Sequence, residues 1–214
     1  MCENDRYVLA TANPGKLLEM RAILSGIGAD LISRVDAGAG MDIPETASTF
    51  YENALLKATA VCKATGLPAI ADDSGLAVRA LGGKPGVDSS SFGGEGLSDG
   101  DRCAYLLSVM KNVEQRDAKF VCTIVCVFPA GDVLSAEGEC SGEILREPRG
   151  TAGGFGYDPV FLLKESGRTL AELSPEEKNA VSHRGIALRS FSGKLLERNR
   201  KVVTLEDRNI RRDI

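Results

Sequence analysis

Two hydrophobic periods alternate along this chain of 214 residues, one of two residues and one near 3.6. Tyr7-Val8-Leu9-Ala10 is a short apolar run and predicts a buried strand. After a loop from Thr11 to Gly15, Leu17, Met20, Ile23 and Leu24 recur at helical spacing. They predict an amphipathic helix from Lys16 to about Ser25, with Pro14 and Gly15 in the loop before it. Thr49-Phe50-Tyr51-Glu52 reads as a capping box that opens a second helix, with Tyr51, Leu55, Ala58 and Cys62 on one face. Pro68-Ala69-Ile70-Ala71 predicts a strand that delivers Asp72 and Asp73 at its end. The stretch from Leu81 to Gly96 is too polar and Gly-rich for core, and its length points to function. Gly100 to about Met110 reads as helical.

The clearest strand is Phe120 to Phe128. Phe120, Cys122, Ile124, Cys126 and Phe128 point one way; Val121, Thr123, Val125 and Val127 point the other. Both faces are largely apolar, so this strand is central and covered on both sides. Ala130-Gly131-Asp132 is a turn, and Val133 to about Cys140 returns as a hairpin partner. Pro159-Val160-Phe161-Leu162 predicts another strand. Ser174-Pro175-Glu176-Glu177 starts a helix, with Ser as cap and Pro at the first position. Ser182 caps a last helix through about Glu197, and residues 197–214 read as a charged, solvated extension. Helices alternating with strands around a hairpin make this a mixed α/β chain, whose sheet is not purely parallel. One domain is expected, with its core over about residues 7–196.

Composition narrows the function classes. Hydrophobic residues are 43% and charged residues 26%, ordinary for a globular protein. No apolar run approaches about 18 residues, the length of a membrane span. Met1 to Arg6 lacks the basic-then-apolar order of a signal peptide, so a cytoplasmic location is expected. A net charge of −4 argues against nucleic-acid or membrane-surface binding. It leaves open an anionic small ligand held by a few local cations. Six cysteines without a Cys-x-x-Cys pair, and a single histidine, give no structural zinc pattern. The cysteines read as small reduced core residues.

Four segments carry candidate chemistry. Thr11-Ala12-Asn13-Pro14-Gly15-Lys16 joins a strand to a helix, where free N–H groups and the helix dipole suit phosphate. An ordinary connection with a solvated lysine reads the same pattern. The acidic set is Glu45, Glu52, Asp72 and Asp73. Adjacent carboxylates repel, and a hard divalent cation resolves this. Neighbours on a strand face opposite ways, so Asp72 and Asp73 have different jobs. A solvated Asx-type turn is the alternative. Gly153-Gly154-Phe155-Gly156-Tyr157-Asp158-Pro159 permits close approach to a flat ligand, on which an aromatic can stack. The same glycines also suit a tight turn with anchored aromatics. Lys178 and Ser182-His183-Arg184 put the only histidine beside an arginine at a helix start, among polar neighbours that suit a ligand role; a structural histidine is the alternative.

Together these segments resemble the inosine triphosphate pyrophosphatases, also called XTP/dITP diphosphatases. The matching stretches are Thr11-x-Asn13-x-x-Lys16, Phe50-x-Glu52-Asn53-Ala54, Ala71-Asp72-Asp73-Ser74-Gly75-Leu76, Leu81-Gly82-Gly83-x-Pro85-Gly86, Gly154-Phe155-Gly156-Tyr157-Asp158-Pro159 and Lys178-x-Ala180-x-Ser182-His183-Arg184. They run in family order from residue 11 to 184. The resemblance implies an elongated two-lobed α/β fold around a long mixed central sheet with flanking helices, and a substrate cleft between the lobes. It implies hydrolysis of ITP, dITP and XTP to monophosphate and pyrophosphate, with Mg²⁺, by a homodimer. By position, Thr11, Asn13 and Lys16 hold the triphosphate. Glu45 and Asp73 bind the metal, and Asp73 accepts the proton of the attacking water. Ser74 touches substrate; Phe155, Gly156, Tyr157 and Asp158 enclose the base with His183 and Arg184; Lys178 contacts the nucleotide. Lys57 falls where some members place a substrate lysine, and Asp72 has no assigned role. A non-catalytic nucleotide-binding protein and a pyrophosphatase of broader choice are the alternatives. One stretch departs from the family. Relatives commonly carry Tyr-Ser-Ala-Arg and an aromatic after Pro85-Gly86, whereas here Val87-Asp88-Ser89-Ser90-Ser91-Phe92 follows, with Asp88 for the tyrosine and Ser91 for the basic residue.

Overall fold

The structure is a computed structural model that describes residues 6–150 and 154–210, with residues 202–210 as backbone only. Met1 to Asp5, Gly153 and residues 211–214, on which parts of the sequence reading rest, lie outside the described residues.

Seven strands form one sheet in the order β2-β1-β3-β4-β5-β6-β7. They are β1 (Arg6–Leu9), β2 (Asp30–Ser33), β3 (Ala69–Val78), β4 (Asp117–Val127), β5 (Val133–Ile144), β6 (Phe161–Leu163) and β7 (Arg168–Thr169). β1 pairs in parallel with β2 and β3, and every later pairing is antiparallel. The mixed α/β sheet expected from the sequence is therefore present. β4 lies between β3 and β5 and is covered on both faces, as its doubly apolar pattern requires. Five helices flank the sheet: α1 (Pro14–Leu24), α2 (Phe50–Thr65), α3 (Asp99–Val109), α4 (Pro175–Val181) and α5 (His183–Ile210). None among the described residues is long and apolar enough to cross a membrane.

Three core clusters divide the molecule. One lies under α1 and α5, where Ile70, Cys122, Ile124 and Cys126 meet Met20, Leu24, Leu188 and Phe191. A second lies on the other sheet face, where Ala69, Ala71 and Val125 meet Ala54, Ala58 and Val61 of α2. A third fills the far end, where Leu76, Val78 and Phe120 pack with Leu106, Met110 and Phe161. The long strands β3, β4 and β5 thus run through two lobes. The five described cysteines are all buried and unbridged. Burial pushes the Cys103 and Cys140 thiols up to about 11, so they are inert packing groups.

Several boundaries differ from the sequence reading, each for a local reason. α1 begins at Pro14, because Asn13 Oδ1 accepts from Lys16 N at 3.1 Å and so caps the helix one residue before the proline. β3 does not end at Asp72; it continues to Val78, pairing with β4 throughout, so both acids sit mid-strand opposite Ile124 and Thr123. Pro159 belongs to a 3₁₀ turn, and the strand after it starts at Phe161. β2, short and flanked by polar residues, was not anticipated. The buried face of α2 carries Asn53, Ala54, Lys57, Ala58, Val61 and Cys62, while Tyr51 is 39% exposed. α5 does not stop near Glu197. Its backbone continues to Ile210, and Arg198 stacks its guanidinium on Phe128, 3.5 Å from the ring centroid. Ser174 forms the anticipated capping box with Glu177, and Ser182 Oγ accepts from Gly185 N at 3.2 Å.

The Gly-rich stretch folds over β3 and approaches it tightly at Gly75. A Cβ on Gly75 would lie 2.1 Å from Gly86 O and 2.5 Å from Ser89 Oγ. Gly75→Ala is expected to destabilise the fold by about 1–3 kcal/mol through this overpacking. An unchanged urea midpoint would refute the contact.

Candidate active site

The pleat of β3 sends Asp72 and Asp73 to opposite faces of the sheet. Asp72 shares its face with Ile70, under α1 and α5. There Lys16 Nζ approaches Asp72 Oδ2 to 3.0 Å, and Arg184 Nε donates to the same oxygen at 3.1 Å. Arg184 is 2% exposed and also donates through Nη1 to Glu19 at 2.6 Å and through Nη2 to Ser74 Oγ at 2.8 Å. Burial alone would raise the Asp72 carboxyl; Lys16 and Arg184 overcome it and hold the group well below the usual carboxylate range. Asp72 therefore stays charged and aims two cations.

Asp73 faces α2. Lys57 Nζ donates to Asp73 Oδ1 at 3.2 Å and reaches Glu45 Oε1 at 3.1 Å, and Asn53 Nδ2 donates to Asp73 Oδ2 at 3.3 Å. Two carboxylates from distant segments converge on one ammonium group. Burial and the nearby Glu45 push the Asp73 carboxyl up to about 6, against the opposing pull of Lys57. A carboxylate with that affinity for protons is suited to general-base work near neutrality. The Glu45–Asp73 pair, already gathered around a cation, could hold a hard divalent ion whose remaining positions take phosphate oxygens and water. Glu52 has a different role. Its Oε2 accepts from Thr49 Oγ1 at 2.8 Å at the start of α2, while Thr49 Oγ1 accepts from Glu52 N.

The second glycine loop is built around Asp158. Asp158 Oδ2 accepts from Phe155 N at 2.8 Å and from Lys178 Nζ at 2.7 Å. Gly154 has φ +87° and its missing Cβ leaves room for that carboxylate. The Phe155 ring lies under Lys178 Nζ, 4.4 Å from its centroid, and against Gly15, where a Cβ would come within 2.8 Å of it. Gly156 N donates to Asp99 at 2.7 Å. Tyr157 is buried, and its hydroxyl donates to Ser89 O at 2.9 Å, which ties this loop to the Ser-rich one. His183 stacks on Phe120 at 4.6 Å and 10°, with Nδ1 buried and unpartnered. Burial, then the charges of Arg184 and Lys178, keep its imidazole neutral well below the ordinary value.

These groups surround one cleft of about 380 Å³. Thr11, Asn13, Lys16, Glu45, Asp73, Ser74, Phe155, Gly156, Tyr157, Asp158, Lys178, His183 and Arg184, all picked out from the sequence, line it together. A larger groove of about 1060 Å³ lies over β4 and β5 near Arg79, Glu139 and Arg168 and holds none of them. Sequence reasoning missed Glu19, Asn53, Asp99, Arg102 and Arg34. Glu19 had a readable signal, three residues after Lys16 on one helix face. The others depend on loop and helix packing.

The Ham1 family model matches residues 7–194. The chain belongs to the Ham1 family. A dITP/XTP pyrophosphatase of Geobacter sulfurreducens is 52% identical over 86% of this chain and 92% of its own length. A protein of the same name from Escherichia coli K12 is 49% identical over 86% of this chain and 94% of its own. Among solved structures, a HAM1 protein from Coxiella burnetii superposes with a TM-score of 0.83 at 44% identity, covering 90% of this chain and 98% of that one. Within this Ham1 fold the Ser-rich loop is anchored from inside. Ser89 Oγ accepts from Leu76 N at 2.8 Å and donates to Gly86 O at 2.6 Å, while Ser91 is exposed and outside the cleft lining.

The two adjacent acids should respond oppositely to neutralisation. The depressed Asp72 carboxyl stabilises the fold above about pH 4, and this contribution is lost as pH falls through its folded value. The raised Asp73 carboxyl makes ionisation costly, and the cost grows as pH rises from about 4 through about 6. In metal-free protein at pH 7.5, Asp72→Asn should lower the unfolding free energy by roughly 3 kcal/mol, because it strands buried cations. Asp73→Asn should raise it by roughly 1 kcal/mol, with the gain gone at pH 4. Thermal denaturation of both variants across pH decides this; shifts of the same sign would contradict the split.

Proposed function

We propose that the chain hydrolyses the non-standard purine nucleotides ITP, dITP and XTP to their monophosphates and pyrophosphate. The observation that carries this is the convergence of Asp73 and Glu45 on Lys57 in a cleft that is also lined by the α1 N-terminus and by the Phe155 ring packed against it. The dITP/XTP pyrophosphatase names of relatives about half identical over most of the chain support the substrate class.

In this reading Lys16, held in the cleft mouth by Asp72, and the first N–H groups of α1 meet the phosphates. Asn13 spends its carbonyl on Lys16 N and keeps its amide for the substrate. Asp73 orients a water toward the α-phosphorus and takes its proton. The new bond joins water oxygen to phosphorus, the bond to the bridging oxygen breaks, and pyrophosphate leaves with that electron pair. Mg²⁺ is the cofactor of the proposal, held by Glu45 and Asp73; when bound it neutralises phosphate charge. Lys57 moves off the carboxylates toward a phosphate as substrate enters. The base stacks on Phe155, and donors of neutral His183 and of Arg184 select a 6-keto oxygen. Adenine's amino group would leave those donors unpaired. The full proposal is one cytoplasmic, homodimeric domain that clears these nucleotides from the pool.

Incubation with Mg²⁺ and ITP, XTP, dITP or ATP, followed by assay of pyrophosphate against phosphate, tests it. Pyrophosphate from the first three at rates on the order of 100-fold above ATP is expected. No turnover would favour a binding protein, equal turnover a broad pyrophosphatase. Asp73→Asn should lower kcat by roughly 100-fold or more while the fold persists. His183→Ala and Arg184→Lys should each narrow the ITP-to-ATP ratio; an unchanged ratio in both would remove the base-selection assignment.

A further inference from the structure

Six cations line the cleft: Lys16, Arg34, Lys57, Arg102, Lys178 and Arg184. Four are already neutralised. Lys16 pairs with Asp72, Lys57 with Glu45 and Asp73, Lys178 with Glu19 and Asp158, and Arg184 with Asp72 and Glu19. Arg102 is buried, and it donates to Phe92 O at 3.3 Å and Leu97 O at 2.8 Å, so its guanidinium braces the 92–97 turn. Arg34 differs from all of these. Its Nη1 donates to Met41 O at 3.0 Å, its Nε is buried without an acceptor, and no described carboxylate lies within ion-pairing distance of it.

Its position is set by the sheet. Arg34 follows directly on β2, and its N–H donates to Leu9 O at 3.1 Å at the end of β1. β1 and β2 are parallel, so Arg34 and the Thr11–Lys16 loop leave the sheet at the same carboxyl edge, where anionic ligands bind in such sheets. The segment that follows Met41, whose carbonyl Arg34 holds, lines the cleft too, through Asp42, Ile43 and Glu45. An unneutralised guanidinium at the sheet edge that also carries the phosphate-facing loop is suited to the fork of a phosphate group.

We infer that Arg34 is a substrate-binding residue that grips the terminal phosphates, the part that leaves as pyrophosphate. The inference rests on the proposed function and deepens it: Arg34 makes a triphosphate the preferred length of substrate. It binds leaving group and substrate alike, so its removal weakens both and leaves the chemistry near Asp73 in place.

Calorimetric titration of the wild-type chain, Arg34→Gln and Arg34→Lys with inorganic pyrophosphate and with inosine monophosphate, each with Mg²⁺, tests this. Arg34→Gln should weaken pyrophosphate about tenfold and leave the monophosphate unchanged, with Arg34→Lys recovering most of the loss. KM for ITP should rise by a similar factor while kcat holds within about twofold. Unaltered pyrophosphate binding in Arg34→Gln, parallel loss of both ligands, or failure of the wild-type chain to bind pyrophosphate would each overturn the assignment. Parallel loss is what a merely structural brace on Met41 would produce. If the wild-type chain binds both ligands yet cleaves no triphosphate, the proposed hydrolysis fails while the selective pyrophosphate loss still assigns Arg34 to phosphate.

Discussion

Strand β3 carries two adjacent carboxylates through the middle of a sheet that is covered on both faces. Each would be too costly to desolvate alone, and together they would repel. The pleat resolves this by sending one to each face, and each face supplies its own cations. Asp72 meets Lys16 and Arg184 from α1 and α5; Asp73 meets Lys57 from α2. The placement of three helices is thus coupled to one dipeptide. The unequal result is chemically useful. Asp72 is held firmly ionised, and Asp73 is held close to titration.

The rest of the cleft is a set of loops that brace one another around this charge network. Asp158 gathers Phe155 N and Lys178, Asp99 receives Gly156 N, and Tyr157 reaches Ser89. These bonds tie the segment after β5 to α3, to α4 and to the loop after β3, so this side of the cleft is a preformed wall. Such support fixes a flat ring like Phe155 before a ligand arrives. The Ser-rich loop fits this frame. Ser89 Oγ ties it to β3 by accepting from Leu76 N and closes the loop on itself by donating to Gly86 O.

The face of α2 shows how function can hide from hydrophobic patterning. The stripe of Tyr51, Leu55, Ala58 and Cys62 is buried at its last two positions and partly at Leu55, but Tyr51 is exposed and the helix turns Asn53 and Lys57 inward as well. Those polar residues are buried because Asp73 lies opposite and an acid in the core needs them there. β3 shows the same effect. Two charged residues read as a strand end, whereas the strand passes straight through them. At both places the local rule fails at the reactive group, where burial of charge is offset by partners remote in sequence.

The sequence by itself determined the alternation of helices and strands, the central position of β4, the caps at Thr49 and Ser174, and the roll of residues around the cleft. These follow from periodicity, from local hydrogen bonding and from motifs whose order is read along one dimension. Only the tertiary structure decided which carboxylate meets which cation, that Glu19 and Asn53 belong to the site, and that Arg34 alone among the cleft cations has neither a carboxylate nor a pair of carbonyls to hold it. Charge pairing depends on distances between groups far apart in the chain. Arg184 and Asp72 are separated by 112 positions, yet their side chains lie 3.1 Å apart. No local pattern encodes such a contact, because it is set by how the helices pack on the sheet.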